Sequence, residues 1–268
     1  MTKKILITGA TDGIGLLTAN KFAALGHTLL IHGRNPEKLQ AAKEQLIAAG
    51  AAAVICYQAD LSDFSETRAL IKQIQSEHSQ LDVLINNAGI YKTNQPITKD
   101  NLDVRFVVNT LAPYLITTEL KPLLNNNSRV VNLSSAAQAP VDLDALAGKF
   151  PLEDQFSAYA QSKLAITMWS RYLADHWQAD SSQQTPVIIA VNPASLLASK
   201  MVKEGFGVAG KDMNIGADIL VDLALKPEYQ THSSEYFDND IGQFTAPHPA
   251  GEDEHNRNEL IAAMENLL

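Results

Sequence analysis

The chain has 268 residues, 46% of them hydrophobic and 19% charged, which is typical of one globular α/β domain with a sizeable core. Its formal net charge of -9 argues against a surface that binds nucleic acid or an anionic membrane, and no apolar run approaches the ~20 residues that span a bilayer. One cysteine excludes an intramolecular disulfide, the histidines lack ligand spacing, and no signal-peptide core opens the chain, so we expect no metal site and a cytoplasmic protein.

Short apolar runs alternate with longer amphipathic ones. The predicted strands cover residues 5–7, 27–32, 53–58, 83–85, 129–133 and 187–191. The predicted helices cover residues 14–25, 36–49, 64–78, 102–124 and 156–176. Strands that are apolar throughout and separated by helices indicate an α/β fold, a doubly wound parallel sheet with helices on both faces. We expect a single domain over residues 1–268, with a C-terminal extension at about 232–268 packed on it.

The first predicted strand runs into a glycine-rich turn, Thr8-Gly9-Ala10-Thr11-Asp12-Gly13-Ile14-Gly15, which opens the first helix. Gly9 allows a tight exit from the strand, Gly13 lets a pyrophosphate approach the backbone, and Gly15 lets the helix pack close to the sheet. The helix N-terminus offers free N–H groups to an anion. The turn therefore predicts a dinucleotide-binding site that involves Gly9, Thr11, Asp12, Gly13, Ile14 and Gly15.

Tyr159 and Lys163 lie four residues apart in a predicted helix, so both side chains fall on one face. A lysine ammonium beside a phenol favours the phenolate, so we expect Lys163 to lower the tyrosine pKa from its usual value of ~10. A tyrosine of lowered pKa is a usable acid or base near neutral pH. The same spacing also occurs in exposed, solvated pairs, so the interpretation depends on other segments.

Other segments give this support. Asn86-Asn87-Ala88-Gly89 follows the fourth predicted strand, and Asp60-Leu61 follows the third. With the Thr-Gly-x-x-x-Gly-x-Gly turn and the Tyr-x-x-x-Lys pair, they resemble the short-chain dehydrogenase/reductase family over about residues 3 to 195. Within that family the chain looks like the retinol-dehydrogenase-like branch, which has a similarly long interval before its active tyrosine. The resemblance implies cofactor contacts at Asp60, Leu61, Asn87, Ala88, Gly89, Tyr159, Lys163 and Pro193.

The family's active site contains an asparagine, a serine, a tyrosine and a lysine, and the resemblance assigns these roles to Asn109, Ser135, Tyr159 and Lys163. Tyr159 would give a proton to a carbonyl as hydride arrives from the nicotinamide, and Ser135 would hydrogen-bond the substrate oxygen. Lys163 would hold the nicotinamide ribose, and Asn109 would support a water-linked proton path. Ser134 is the alternative to Ser135.

The end of the second strand, Ile31-His32-Gly33-Arg34-Asn35, predicts NADP(H) as the cofactor. Gly33 stands where the family usually has an acid that binds the ribose hydroxyls, and the Arg34 guanidinium is suited to a 2′-phosphate. We expect no acid at this strand end to repel that phosphate. Asp12 is the one nearby exception, with bonding to N–H groups of the turn as its alternative role.

The segment after the sixth strand departs from the family. Pro193 is followed by Ala194 where the family commonly has glycine, so the backbone near the nicotinamide is expected to differ slightly. Ser195 and Ser199 are both candidates for the threonine that family members place shortly afterwards. The substrate loops are expected at about 136–156 and 194–215. Apolar residues among glycines in the second loop predict a mobile lid, with an ordinary surface loop as the alternative.

The predicted function is the interconversion of a carbonyl and an alcohol with NADP(H). The expected small-molecule substrate is a lipophilic aldehyde, ketone or secondary alcohol. The alternatives are a binding protein that senses the cofactor without chemistry and a sugar-nucleotide epimerase or dehydratase, which usually has a Gly-x-x-Gly-x-x-Gly turn and a longer C-terminal domain. By analogy with the family, a homodimer or homotetramer would form through the two long helices.

Overall fold

The computed structural model describes residues 2–179, 184–198, 207 and 209–268. An eight-stranded sheet lies at its centre, in the order β3-β2-β1-β4-β5-β6-β7-β8. The strands are β1 (Lys4–Ile7), β2 (Thr28–Gly33), β3 (Ala53–Gln58), β4 (Val83–Asn86), β5 (Arg129–Leu133), β6 (Val187–Asn192), β7 (Tyr236–Asp238) and β8 (Gln243–Thr245). Strands β1 to β7 are parallel to one another, and β8 pairs antiparallel with β7. The predicted doubly wound parallel sheet is confirmed.

Helices cover both faces of the sheet. They are α1 (Gly13–Ala24), α2 (Pro36–Ala48), α3 (Phe64–Glu77), α4 (Val104–Phe106), α5 (Ala112–Glu119), α6 (Leu143–Leu146), α7 (Gln155–Ala179), α8 (Asn214–Leu225), α9 (Pro249–Glu252) and α10 (Glu254–Glu265). Alternate strand residues point to opposite faces. Leu6 packs on the side of α3, α5 and α7, while Ile5 and Ile7 pack on the side of α1, α2 and α8.

The helix predicted over residues 102–124 is divided in the structure. A π-helical segment, Val107–Leu111, joins α4 to α5, and a 3₁₀ turn, Lys121–Leu123, follows α5. The Ala112 N–H donates to the Val107 carbonyl five residues back. Pro113 has no N–H, and its ring would crowd the carbonyl four residues before it, so a wider turn accommodates it. The predicted regular helix is therefore wrong around Asn109.

The tail adds more regular structure than its weak periodicity predicts. It contributes β7, β8, α9 and α10. Helix α10 packs on α7 and buries Leu260, Ile261 and Met264, and the Tyr114 hydroxyl of α5 donates to Glu265 at 3.0 Å. Strands of three residues are too short to give a periodic signal. The extension is thus part of the sheet and of the core.

Candidate active site

The glycine turn after β1 is fastened to the segment after β4. The Asn87 side-chain amide donates to the Thr8 carbonyl at 2.9 Å and to the Gly9 carbonyl at 3.0 Å. A Cβ on Gly15 would lie 2.4 Å from both the Asn87 amide nitrogen and the Gly9 oxygen, so any side chain there would separate the two segments. Asn87, expected to contact the cofactor, therefore uses its side chain to hold the turn in place.

The turn is open at Gly13, which begins α1. Its φ is +55°, and nothing lies within 4 Å of a Cβ built on it. Asp12 caps α1 by accepting the Gly13 N–H at 2.8 Å, and its carboxylate pairs with Lys38 at 3.0 Å. Open backbone at a helix N-terminus, beside an acid that is paired with a lysine, fits a dinucleotide pyrophosphate. Lys38 escaped the sequence reasoning because it lies 26 residues from Asp12.

His32 on β2 supports the same turn and was also missed. Its imidazole is 2% exposed; Nδ1 accepts the Gly9 N–H at 3.2 Å, and Nε2 lies 3.0 Å from the Ala59 carbonyl. Because Nδ1 must accept, Nε2 carries the proton and donates it to Ala59. Burial lowers the pKa of His32 to about 4, so the ring is neutral at neutral pH.

The second strand ends in a crowded corner. A Cβ on Gly33 would lie 2.6 Å from Thr11 Cγ2, so an acid at this position would displace Thr11. Arg34 follows with its side chain 67% exposed, and its Nη1 lies 3.7 Å from an Asp60 carboxylate oxygen. The expectation of no acid at this strand end is wrong, because β3 pairs with β2 and brings Asp60 beside Arg34. Sequence proximity alone did not show this neighbour.

A cavity of about 310 Å³ lies beside this corner, at the carboxyl ends of the strands. This is where doubly wound sheets bind nucleotides. Asp60 faces the cavity and also accepts the Ser62 N–H at 2.9 Å, whereas Leu61, expected to contact the cofactor, is buried in the core. The lining residues include Arg34, Asp60, Ser62, Ile90, Thr93 and Ile97.

The two serines after β5 have different partners. Ser135 is half-buried, and it favours the ionised form of Tyr159, which lowers the pKa of that phenol against the rise caused by burial. Ser134 is buried, and its hydroxyl bonds the Lys163 carbonyl at 2.9 Å and the Thr167 hydroxyl at 2.6 Å. The Ser134 hydroxyl is thus taken up by hydrogen bonds to α7, and Ser135 is the serine that acts on the tyrosine.

Asn109 and Lys163 meet behind Gly89. The Asn109 side chain accepts the Ile90 N–H at 2.8 Å and donates to the Ile90 carbonyl at 2.9 Å. Lys163 Nζ donates to the Leu133 carbonyl at 2.7 Å. A Cβ on Gly89 would lie 3.4 Å from Asn109 Oδ1 and 3.6 Å from Lys163 Nζ. The π-helical turn thus places a polar side chain beside the lysine and the segment after β4.

The expected effect of Lys163 on the tyrosine is contradicted. Burial raises the pKa of Tyr159, and Ser135 opposes that rise. Burial also lowers the pKa of Lys163 to about 8. The ammonium donates to Leu133 and lies 5.6 Å from the centroid of the tyrosine ring, so desolvation has the larger effect on the phenol. Tyr159 is therefore protonated at neutral pH.

An aromatic row leads from the surface to Tyr159. The rings of Tyr91 and Tyr159 have centroids 5.2 Å apart, and Phe156 lies edge-on to Tyr91 at 6.3 Å. Tyr91 is 7% exposed and Phe156 is 42% exposed. Tyr91 was missed, although its place two residues after Gly89 is a signal that could have identified it. The segment predicted as a loop over 136–156 also contains α6.

The loop after β6 keeps a backbone usually reserved for glycine, with φ of +124° at Ala194. The backbone was expected to differ here because alanine replaces the family's glycine. The structure instead has a conformation typical of glycine at Ala194, which strains a residue with a Cβ. The Pro193 carbonyl accepts from Asn239 at 3.0 Å, and the Ser195 N–H donates to Asp240 at 2.9 Å. Ser199 and most apolar residues of the predicted lid lie outside the described residues.

Among the described residues, no group of three or more histidine, cysteine, aspartate or glutamate side chains could hold a metal ion. None of the helices within that part of the chain is both long enough and apolar enough to cross a membrane.

Comparison with known proteins decides the family, since the model of the short chain dehydrogenase family matches residues 3–205. This chain belongs to the short-chain dehydrogenase/reductase family. It is 29% identical to retinol dehydrogenase 13 of Homo sapiens, over 99% of this chain and 84% of the human protein. The predicted likeness to the retinol-dehydrogenase-like branch is confirmed. Family membership makes the chain a dehydrogenase/reductase that uses a nicotinamide cofactor.

Two solved members of the fold support the architecture. A protein of undetermined function from Mycobacterium Paratuberculosis superimposes with a TM-score of 0.81 and 26% identity, over 99% of this chain and 92% of that one. A short chain dehydrogenase from Burkholderia cenocepacia J2315, solved in complex with NADP, gives 0.70 and 24% identity, over 88% and 95% of the two chains. Because the similarity to the first of these structures extends over nearly the whole chain, the tail is part of the shared fold.

Proposed function

We propose that this family member interconverts a carbonyl and an alcohol with NADP(H), and that Tyr159 transfers the proton. The observation that carries the proposal is the grouping around the Tyr159 phenol: Lys163 Nζ lies 5.6 Å from the centroid of its ring, and Ser135 acts on the phenol from the end of β5. Two hydroxyls on one side can bond a single substrate oxygen together. A buried cation behind them stabilises negative charge as it develops on that oxygen.

The chemistry divides between the cofactor and the chain. When bound, the nicotinamide supplies or accepts the hydride. Tyr159 gives its proton to the carbonyl oxygen in reduction and takes it back in oxidation, while Ser135 donates a second hydrogen bond to that oxygen. The raised pKa of Tyr159 keeps the phenol protonated, the form that reduction requires. The glycine turn and Arg34 would hold the pyrophosphate and the 2′-phosphate.

Tyr159→Phe tests the proton transfer. The variant keeps the ring and its contact with Tyr91 but lacks the hydroxyl, so turnover should be abolished while cofactor affinity stays nearly intact. Turnover is followed by the absorbance of reduced nicotinamide over a panel of aldehydes and ketones, and affinity by fluorescence titration with NADPH. Tyr229→Phe, in another part of the fold, is the matched control. A Tyr159→Phe enzyme with a tenth of the wild-type turnover would refute the assignment.

The preference for NADP(H) is supported by the corner at Gly33 and Arg34. Thr11 leaves no room for an acid on Gly33, and Arg34 offers a largely exposed guanidinium. Arg34→Ala should raise the KM for NADPH about tenfold or more, since a hydrogen bond to a charged group contributes ~1.5–3 kcal/mol. The KM for NADH should change little, because that cofactor has no 2′-phosphate.

Steady-state kinetics with both cofactors checks this prediction. Lys72→Ala, which removes an exposed cation from α3, controls for the loss of general positive charge. Equal effects of Arg34→Ala on NADPH and NADH, or a wild-type preference for NADH of tenfold or more, would count against NADP(H).

The aromatic row of Phe156, Tyr91 and Tyr159 favours a lipophilic substrate. Its rings offer apolar contact area close to the reacting hydroxyl. We therefore expect kcat/KM to rise with the apolar area of the carbonyl compound across the panel. Binding of NADPH without turnover of any compound would favour a cofactor-sensing protein instead.

A further inference from the structure

Ala194 carries backbone strain that its sequence neighbours do not explain. Its φ of +124° lies in the region that residues with a Cβ avoid, and Leu196, two residues on, has φ of +57°. Such conformations persist only where the surrounding structure imposes them. The source of that constraint should therefore be visible in the contacts of the loop.

Asp240, in the turn between β7 and β8, provides those contacts. Its two carboxylate oxygens accept the Ser195 N–H at 2.9 and 3.1 Å, and one of them also accepts the Ser195 hydroxyl. The Asn192 amide donates to the same carboxylate at 3.0 Å, and Lys211 Nζ lies 3.4 Å away. One side chain thus hydrogen-bonds the residues on both sides of Pro193 and Ala194.

The far end of the loop is tied to the same point. The Lys211 N–H donates to the Leu196 carbonyl at 2.7 Å, and the Ala198 N–H donates to the Lys211 carbonyl at 2.7 Å. The cation of Lys211 then returns to Asp240. Backbone bonds and an ion pair therefore join residues 192, 195–198 and 211 to one carboxylate.

We propose that Asp240 is a positioning residue that holds the Pro193–Ser195 loop in its strained path and so shapes the nicotinamide side of the site. The idea that this loop faces the cofactor rests on the proposed function. The contacts of Asp240 with Asn192, Ser195 and Lys211, here called the clamp, do not depend on it. A glycine in place of Ala194 would adopt the same φ without strain. The structure therefore predicts that the need for Asp240 depends on which residue occupies this position.

A double-mutant cycle of Ala194→Gly and Asp240→Ala tests the clamp by thermal unfolding. Ala194→Gly should raise Tm by about 2–4 °C, the shift that a modest relief of strain gives in a domain of this size. Asp240→Ala should lower Tm by several degrees in the Ala194→Gly background and clearly less in the wild-type background, because there the loss of the Asp240 contacts also releases the strain at Ala194. Asp222→Ala, which removes an acid paired with Lys226 on α8, is the matched control.

The same four proteins are then titrated with NADPH. Asp240→Ala should weaken binding about tenfold in the wild-type background and threefold or less in the Ala194→Gly background, with kcat changed less than KM. Equal effects of Asp240→Ala in both backgrounds, on Tm and on NADPH binding, would overturn the inference. If the wild-type protein fails to bind NADPH, it is the proposed function that is refuted. The Tm values of the four proteins then still test whether Asp240 holds the loop.

Discussion

Single residues differ in how visible they are in the sequence. Tyr159 and Lys163 could be found because one helical turn places both on one face, and that relation is local. His32 and Tyr91 act across the fold, through the Gly9 amide and the Tyr159 ring, so no local pattern indicates them. The sequence therefore predicted the residues of short motifs and missed the residues that position them.

Charge states are a second property that the sequence predicted poorly. The spacing of Tyr159 and Lys163 suggested a phenol made acidic by its neighbour. In the structure, Lys163 is buried and Tyr159 is half-buried, and the desolvation of both groups favours their neutral forms because it penalises any charge. Burial depends on the packing of α7 against β5 and α4, which no four-residue motif encodes.

The charge of Lys163 should set the upper pH limit of carbonyl reduction. Burial lowers its pKa from 10.5 to about 8, so the ammonium loses its proton as the pH rises through that value. Tyr159, with its pKa raised, stays protonated over the same range. Because kcat/KM reports groups of the free enzyme, its profile should be level below about pH 7 and fall above about pH 8.

Lys163→Arg separates this interpretation from a general loss of stability. A guanidinium keeps its charge to a pH above ~12, so the falling limb near pH 8 should disappear even if the absolute rate is lower. Lys149→Arg, on an exposed lysine, serves as the control. The same falling limb in the Lys163→Arg enzyme would show that another group is titrating.

At the level of elements, the strands were predicted well and the helix before β5 was not. Apolar runs such as Leu29 to Ile31 have only one plausible place, inside a covered parallel sheet. The segment from Val104 to Glu119 is also largely buried, but Pro113 changes its hydrogen-bonding register. The periodicity of apolar residues predicts a helix but does not show that one of its turns contains an extra residue, as the π-helical turn does. Pro113 was the signal in the sequence for such a turn.

The junction of β2 with the glycine turn and β3 should be sensitive to acid through His32. The pKa of His32 is about 4 in the folded protein and 6.5 in an unfolded chain, a difference of about 3 kcal/mol. Between these values the unfolded state binds more protons, so stability falls as the pH drops from 6.5 to about 4 and is fully present above 6.5. A protonated ring also cannot accept the Gly9 N–H.

Urea unfolding of wild type and His32→Ala at several pH values measures this contribution. The wild-type advantage in free energy of unfolding should be largest above pH 6.5 and shrink by about 3 kcal/mol towards pH 4. His255→Ala, on the exposed side of α10, controls for the loss of a histidine. A wild-type advantage that is constant over this range contradicts the role given to His32.

At the scale of the whole molecule, the C-terminal tail covers part of the surface through which the family resemblance predicted assembly. All side chains from residue 160 to 170 are buried, which covers every face of three turns of α7, and α10 provides part of that cover. The resemblance to the family predicted an assembly through the two long helices. Because the chain itself buries residues 160–170 of α7, this part of the helix is unavailable to a second copy unless α10 moves.

We therefore expect the chain to be a monomer at micromolar concentration, with α10 in the place where a partner would pack. Static light scattering after size-exclusion chromatography should give the mass of one chain. Leu260→Ala, which removes a fully buried side chain from α10, should lower the free energy of unfolding by about 2–5 kcal/mol, whereas Glu259→Ala on its exposed face should change it by less than ~0.5 kcal/mol. A wild-type dimer that Leu260→Ala dissociates would instead show that α10 serves an interface between copies, because a helix that only covers its own chain has no effect on mass.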